Sequence, residues 1–504
     1  MSFISAGFFL ILAITAFVYY LVPKKYQWIV LLIMSISFYT ASQTKFLFYI
    51  LFTGLSTYVA GVRIGLSVSK KRRKMWLLLA LFSNFGILVA LKYLNFFVEN
   101  LNALLSVVPG STSIHPFILL LPLGVSFYTF QSMSYVIDVY QKKYEYEKNL
   151  FKILLFTSFL PQLLQGPIGR YDRLAPQYFN GQKFDLKQVE YGVQRILWGL
   201  GKKMIIADRA NAVVTSIFSR LDIYQGAYIV LGLLMYSVEL YCDFSGGIDV
   251  VIGAAEVFGI KFDENFRQPY FSKDIGEFWR RWHITLGTWM KDYIFYPFSI
   301  SKHMLTFGKW CRKKFGKNIG KVVPIAIANL LVFFVVGVWH GANWKYILYG
   351  IYNGVIIAAS ALLKPVYGKC RTALHINVKS KGWMGFQMLR TFILVNISWL
   401  FDICKDAGEA FYAFGLMFKN FNVQALFTGN LLKMGLNLRD YKVLGIGLLI
   451  LLISSIMKER GINLRDFVAD RPLPVRWALY FILVFATAPF GFVGAGSNFI
   501  YAQF

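Results

Sequence analysis

The sequence predicts an all-α integral membrane protein of roughly 11 transmembrane helices, with re-entrant and interfacial amphipathic pieces beside them. Three observations predict it. Of the 504 residues 57% are hydrophobic and only 15% charged, against about 45–50% and 25% in soluble domains. Uncharged runs of bilayer length recur along the chain. The 53 Lys and Arg outnumber 25 Asp and Glu, a formal charge of +28, and they cluster in loops between the apolar runs. That is the positive-inside pattern of multi-pass proteins. Nucleic acid, another cause of a basic excess, is set aside because the cations follow the topology.

Residues 3–22 form the first span. No charge precedes Lys24-Lys25, so there is no basic leader region and the N-terminus is expected outside. Residues 26–44 and 46–62 flank Lys45 as a hairpin. The loop at 63–74 carries Arg63, Lys70, Lys71, Arg72, Arg73 and Lys74 without an acid, which places it in the cytoplasm. Residues 75–98 leave again, 99–113 lie outside, and 116–137 return to Lys142-Lys143. Residues 151–169 contain Pro161 and end in Gln165-Gly166-Pro167-Ile168-Gly169-Arg170, a poor ending for a straight helix. They read as a helix followed by a re-entrant turn, tolerated only where protein or a wet cavity covers the backbone. Residues 189–207 and 226–258 are further helical segments. The basic stretches 301–321 and 364–381 are cytoplasmic and enclose the spans 322–339 and 345–363. Residues 383–401, 441–457 and 476–490 supply the last spans, with 402–440 outside. No internal repeat or linker divides the chain, so residues 1–504 read as a single domain.

Cys242, Cys311, Cys370 and Cys404 stand far apart, which indicates neither a zinc site nor a disulfide framework. No metal or nucleotide motif is present. Three stretches carry chemistry instead. In Gly337-Val338-Trp339-His340-Gly341-Ala342-Asn343-Trp344 an imidazole closes an apolar run of about 18 residues, near bilayer length. Gly341 releases the helix, so His340 sits at a helix end beside a cavity, where a buried general base would stand; a His satisfied within helix packing is the alternative. In the second, Ser272 is the expected N-cap, and Phe278, Trp282, Leu286, Trp289, Tyr293 and Tyr296 form one apolar face. This is an aromatic, basic amphipathic helix of the kind that lies at the cytoplasmic interface. His283 falls off that face, as a pocket residue would. In the third, Glu239 and Asp243 are paired one turn apart in an apolar context and need cations such as Arg280-Arg281 or Arg170. Structural pairing and substrate or proton handling both fit them.

Taken together, Gln165-Gly166-Pro167-Ile168-Gly169-Arg170, Asp243-Phe244-Ser245-Gly246-Gly247-Ile248-Asp249, Phe278-Trp279-Arg280-Arg281-Trp282-His283-Ile284-Thr285-Leu286 and Val338-Trp339-His340-Gly341-Ala342-Asn343-Trp344 resemble the membrane-bound O-acyltransferase family. The likeness is to the bacterial branch that acetylates alginate and peptidoglycan, and it extends to the tail Asn498–Phe504. Gly247 departs from that pattern, which usually has an aromatic there. The resemblance implies acyl transfer, most simply of acetyl, from a cytoplasmic thioester (acetyl-CoA or an acyl carrier) to a hydroxyl outside. No cofactor would be resident. The acceptor side would comprise a polysaccharide and an extracytoplasmic acetyltransferase- or hydrolase-like partner protein, and the location would be the cytoplasmic membrane. It implies that His340 is the proton acceptor, with His283 the second motif His. His283, Arg281 and Trp282 would orient the donor or hold the carbonyl oxygen, and Asp243, Ser245, Trp339, Asn343 and Gln165 would line the substrate path.

Transfer of D-alanine to teichoic acid is the nearest rival chemistry. A transporter would explain broken spans and buried carboxylates but has no evident use for Trp-His-Gly, and a scaffold subunit would do no chemistry. The topology makes a first prediction. A cysteine engineered beside Arg72 should resist a membrane-impermeant maleimide added outside, and labelling there would overturn the orientation.

Overall fold

The computed structural model describes residues 5–108, 112–163 and 165–491, and the regular elements among these are helices. The resembling tail at 498–504 lies outside the described residues. Seven helices are long and apolar enough to cross a bilayer: Thr44–Leu66, Lys70–Leu105, Ala227–Val257, Lys302–His340, Trp344–Leu362, Lys381–Ile403 and Leu438–Glu459. Ala6–Leu21 and Leu473–Ile482 are apolar but shorter. The all-helical, multi-pass character of the sequence reading holds; the count among the described residues is seven.

The most buried of these is Ala227–Val257, which packs along Leu186–Gly201. Lipid supplies no hydrophobic drive for helix pairing, so close contact depends on small residues. Here glycines face each other: a Cβ on Gly192 would lie 2.7 Å from the Gly253 carbonyl oxygen. A second small-residue crossing joins Lys302–His340 to Trp344–Leu362, where a Cβ on Gly337 would lie 3.2 Å from the Gly350 Cα. The Lys302–His340 helix is itself two pieces. Gly316 has φ 76°, the left-handed region that glycine enters without penalty. The basic segment 302–315 therefore folds back on the span, and a Cβ on Gly320 would lie 2.5 Å from the Arg312 Cα.

Polar side chains buried between Leu186–Gly201 and Ala227–Val257 are matched in charge. The short π-helix Lys202–Ala207 offers two successive lysines to the longer helix. Lys202 meets Asp249 at 2.7 Å and donates to Ser245 Oγ at 2.7 Å; Lys203 meets Asp208 at 2.9 Å and also Asp243. Arg195 bonds Asp249 at 3.0 Å and Glu264 at 2.6 Å. Asn211 donates to Glu239 at 2.7 Å. These are the partners of Glu239 and Asp243, in place of the expected Arg280-Arg281 or Arg170. Breaking one of the ion pairs would strand a buried charge.

Three other expectations are corrected. The stretch 116–137 becomes helical only from Val125. Asp274, not Ser272, caps the helix Ile275–Arg281, accepting from Glu277 N–H at 2.7 Å. The amphipathic segment is not one helix: Ile275–Arg281 ends, Trp282 is extended, His283 is left-handed, and Ile284–Met290 begins anew.

The glycine crossing predicts that Gly253→Val forces the helices apart, since its Cβ would stand 2.9 Å from the Ile196 backbone N. Overpacking of this kind typically costs about 1–3 kcal/mol. The expected outcome is a lower melting temperature and a lower yield of inserted protein, measured by fluorescence-detected size exclusion after heating.

Candidate active site

The break at His283 is where sequence and lipid conflict. Restarting a helix frees N–H and C=O groups that lipid cannot satisfy. The preceding segment closes them. Arg267 N–H donates to the Arg281 carbonyl at 3.0 Å, and Ile284 N–H donates to the Asn265 carbonyl at 3.0 Å. Thr285 N–H donates to Asn265 Oδ1 at 3.0 Å. Asn265, nearly 20 residues upstream, thus serves the new helix as an N-cap supplied from a distance. His283, at φ 47° and ψ 52°, adopts a conformation that costs a non-glycine residue roughly 1–2 kcal/mol. The strap bonds the Arg281 carbonyl and the Ile284 and Thr285 N–H groups that this shape leaves open.

The strained backbone turns His283 inward. It is 3% exposed, with its ring 4.9 Å from Phe244 and 5.7 Å from Trp339 between centroids. The Trp339 ring is in turn 5.1 Å from that of His340. His340 is 5% exposed, and its ring lies 5.3 Å from Tyr349. Both motif histidines therefore contact one indole. His340 is the last residue of its helix, as the apolar run and Gly341 predict. Gly341 itself has φ 178°, an extended backbone open to any residue. What demands glycine is the Tyr346 ring, which a Cβ would strike.

Two residues that the sequence reading missed hold this helix end. Lys92 Nζ donates to the Trp339 carbonyl at 2.6 Å, and Tyr93 Oη donates to the Val338 carbonyl. A cation on the orphan carbonyls of a helix C-terminus is favourable. The available signal was Lys92-Tyr93 within the otherwise uncharged run 75–98, an intramembrane cation that deserved a partner.

Other predicted residues divide clearly. Gln165 is fully buried, and neither amide atom has a partner among the described residues; the same holds for Trp339 Nε1. Such orphaned groups suit a site awaiting a ligand. The loop that bears Gln165 is tied to the second motif, since Ile168 N–H donates to Thr285 Oγ1 at 3.0 Å. The polar atoms of Asp243 and Ser245 are committed to Lys203 and Lys202. Asn343 Oδ1 caps the helix Trp344–Leu362, accepting from Lys345 N–H at 2.9 Å. Trp282 is core, stacked on Phe278 with centroids 5.5 Å apart and 5.4 Å from Trp399. Arg281 is bound by Glu277 at 2.7 Å and Glu459 at 2.8 Å, which ties it to the helix Leu438–Glu459. A cavity of about 270 Å³ lies on the far side of the motif loop, lined by Arg170, Arg173, Arg267, Ile284, Thr285 and Tyr293 among others. Among the described residues no cluster of His, Cys, Asp and Glu has the make-up to hold a metal ion.

Two buried imidazoles bracket one indole whose Nε1 has no partner among the described residues, an arrangement that can support proton-assisted group transfer. Residues 146–399 match the profile of MBOAT, the membrane-bound O-acyltransferase family. A probable alginate O-acetylase of Pseudomonas syringae pv. tomato is 36% identical over 415 residues, covering 81% of this chain and 73% of that protein. The peptidoglycan O-acetyltransferase of Helicobacter pylori is 28% identical across 77% of this chain and 72% of its own. A teichoic acid D-alanyltransferase of Bacillus subtilis is 33% identical across 47% and 58%. The chain belongs to the membrane-bound O-acyltransferase family. It is a multi-pass membrane O-acyltransferase.

The ion pairs of Arg281 make a prediction that differs from donor binding. Arg281→Ala should cost up to about 1 kcal/mol of stability, since the pairs are partly exposed. Turnover per mole of inserted protein at limiting donor should be retained. A raised donor KM with unchanged melting would return Arg281 to the donor path.

Proposed function

We propose that this enzyme moves an acetyl group from a cytoplasmic thioester to a hydroxyl on the outer side of the cytoplasmic membrane, for O-acetylation of an exported or cell-wall polysaccharide through a secreted partner. The observation that carries the reading is the placement of His340 and His283 on one buried indole. Acetyl is favoured over D-alanyl because the alginate relative aligns over 81% of the chain and the D-alanyltransferase over 47%.

In this reading the acceptor hydroxyl oxygen attacks the thioester carbonyl as its proton passes to His340. The C–O bond forms, the C–S bond breaks, and His340 returns the proton to the departing thiolate. Neutral imidazole suits both halves of that exchange. Trp339 Nε1 and Gln165 Nε2, donors without partners among the described residues, would serve the carbonyl oxygen as negative charge develops. The donor arm reaches the site past the cavity walled by Ile284 and Thr285, the two residues that follow His283. There Arg267, exposed and outside the ion pairs, can meet the phosphates of coenzyme A or of a carrier's phosphopantetheine.

Purified protein incubated with labelled acetyl-CoA and an acceptor tests the donor. His340→Ala and His340→Gln test the base, because glutamine keeps hydrogen bonding but takes no proton at neutral pH. Both should insert normally and lose turnover by roughly 10²–10⁴-fold. A Gln variant with substantial acetyl transfer per mole would overturn the assignment, and yield falling in step with activity would mark a packing role.

A further inference from the structure

The polar chain behind His283 fixes more than its backbone. Asn265, fully buried, has three polar neighbours at one atom. Its Oδ1 takes Thr285 N–H at 3.0 Å and Thr285 Oγ1 at 2.9 Å, and it faces His283 Nδ1 at 3.3 Å. An amide can usually be turned to exchange O for N. Here it cannot, because a backbone N–H donates only to an oxygen. Thr285 Oγ1 is directed the same way: it accepts from Ile168 N–H at 3.0 Å, and its own proton points at Asn265 Oδ1. With Oδ1 fixed against His283, Nδ1 must bring the proton. An imidazole protonated on Nδ1 carries its lone pair on Nε2.

We propose that Asn265 is a positioning residue that holds His283 in the Nδ1–H tautomer, so that His283 meets the substrates through an accepting Nε2. The inference rests on the O-acyltransferase reading and deepens it. In this form His283 takes a hydrogen bond from a substrate hydroxyl or thiol and is not a donor to the carbonyl oxygen, the role that the sequence alone suggested for it. The donors to that oxygen are then Trp339 and Gln165. The same amide leaves Asn265 Nδ2 buried and without a partner among the described residues, which marks Oδ1 as the end that the fold uses.

The tautomer is read directly by ¹⁵N NMR of ring-labelled histidine in the full-length protein in lipid at pH 8, above the ordinary imidazole value of about 6.5. The chain has five His, and the signal lost in His283→Gln assigns the one that matters. The expected spectrum of the unsubstituted protein shows His283 with a protonated Nδ1 and a bare Nε2. A proton on Nε2 overturns the proposal whether or not acetyl transfer is observed. Thr285→Val removes the hydroxyl but keeps the backbone N–H that orients the amide, so it should keep the tautomer; its loss would show that the backbone does not set the orientation. Asn265→Ala should let the ring revert to a mixture and lower kcat roughly 10–100-fold, as loss of an orienting partner does, while donor KM stays within about two-fold. If that variant fails to insert, the spectra of the unsubstituted and Thr285→Val proteins still decide. Absence of acetyl transfer by a protein that shows the Nδ1–H signal would refute the proposed function and leave the tautomer standing.

Discussion

The site depends on one buried side chain, Asn265, whose Oδ1 accepts from the Thr285 N–H and hydroxyl and faces His283 Nδ1. Asn265 closes the backbone left open where the helix breaks at Trp282 and His283, and it does so from a strap that is itself bonded to Arg281. Without such closure a broken helix within a membrane protein would expose unsatisfied N–H groups, each costly in an apolar medium. With it, a left-handed histidine becomes affordable, and its ring is delivered to Trp339. The chemistry therefore stands on a rule about backbone satisfaction before it stands on any property of imidazole.

The second histidine is delivered by a different device. His340 closes a helix whose last carbonyls are taken by Lys92 and Tyr93 from the helix Lys70–Leu105. The following hairpin is packed tightly through Gly337 and Gly350. One imidazole thus comes from a helix start and the other from a helix end. Both ends are tied by side chains from elsewhere in the chain, so the geometry between the rings is set by tertiary contacts and not by local flexibility.

Around this lies a body whose charges are nearly all spoken for. Asp243, Asp249 and Glu264 are met by Lys203, Lys202 and Arg195, and Arg170 by Asp292 at 2.8 Å. These pairs explain buried carboxylates without a transport role. Among the buried polar atoms without a partner among the described residues are Gln165 Oε1 and Nε2, Trp339 Nε1 and Asn265 Nδ2, which belong to the motif stretches or to the strap that joins them.

Composition and the alternation of apolar runs with basic loops determined an all-helical, multi-pass protein, because lipid admits little else and loop charge orients it. Trp339-His340-Gly341 showed a histidine at a helix end, since the length of an uncharged run is a local quantity. The sequence did not show the break at His283. The apolar spacing from Phe278 to Tyr296 fits one continuous helix, and what interrupts it is Asn265, nearly 20 residues away in the chain. Nor did it show the partners of Asp243, which are lysines on another helix, or that Arg281 is held by Glu459. Pairing between distant segments leaves no periodic trace. Only the tertiary structure decided which polar residues are committed to the fold and which are left without partners among the described residues, because burial and hydrogen-bond partners are properties of the packed chain.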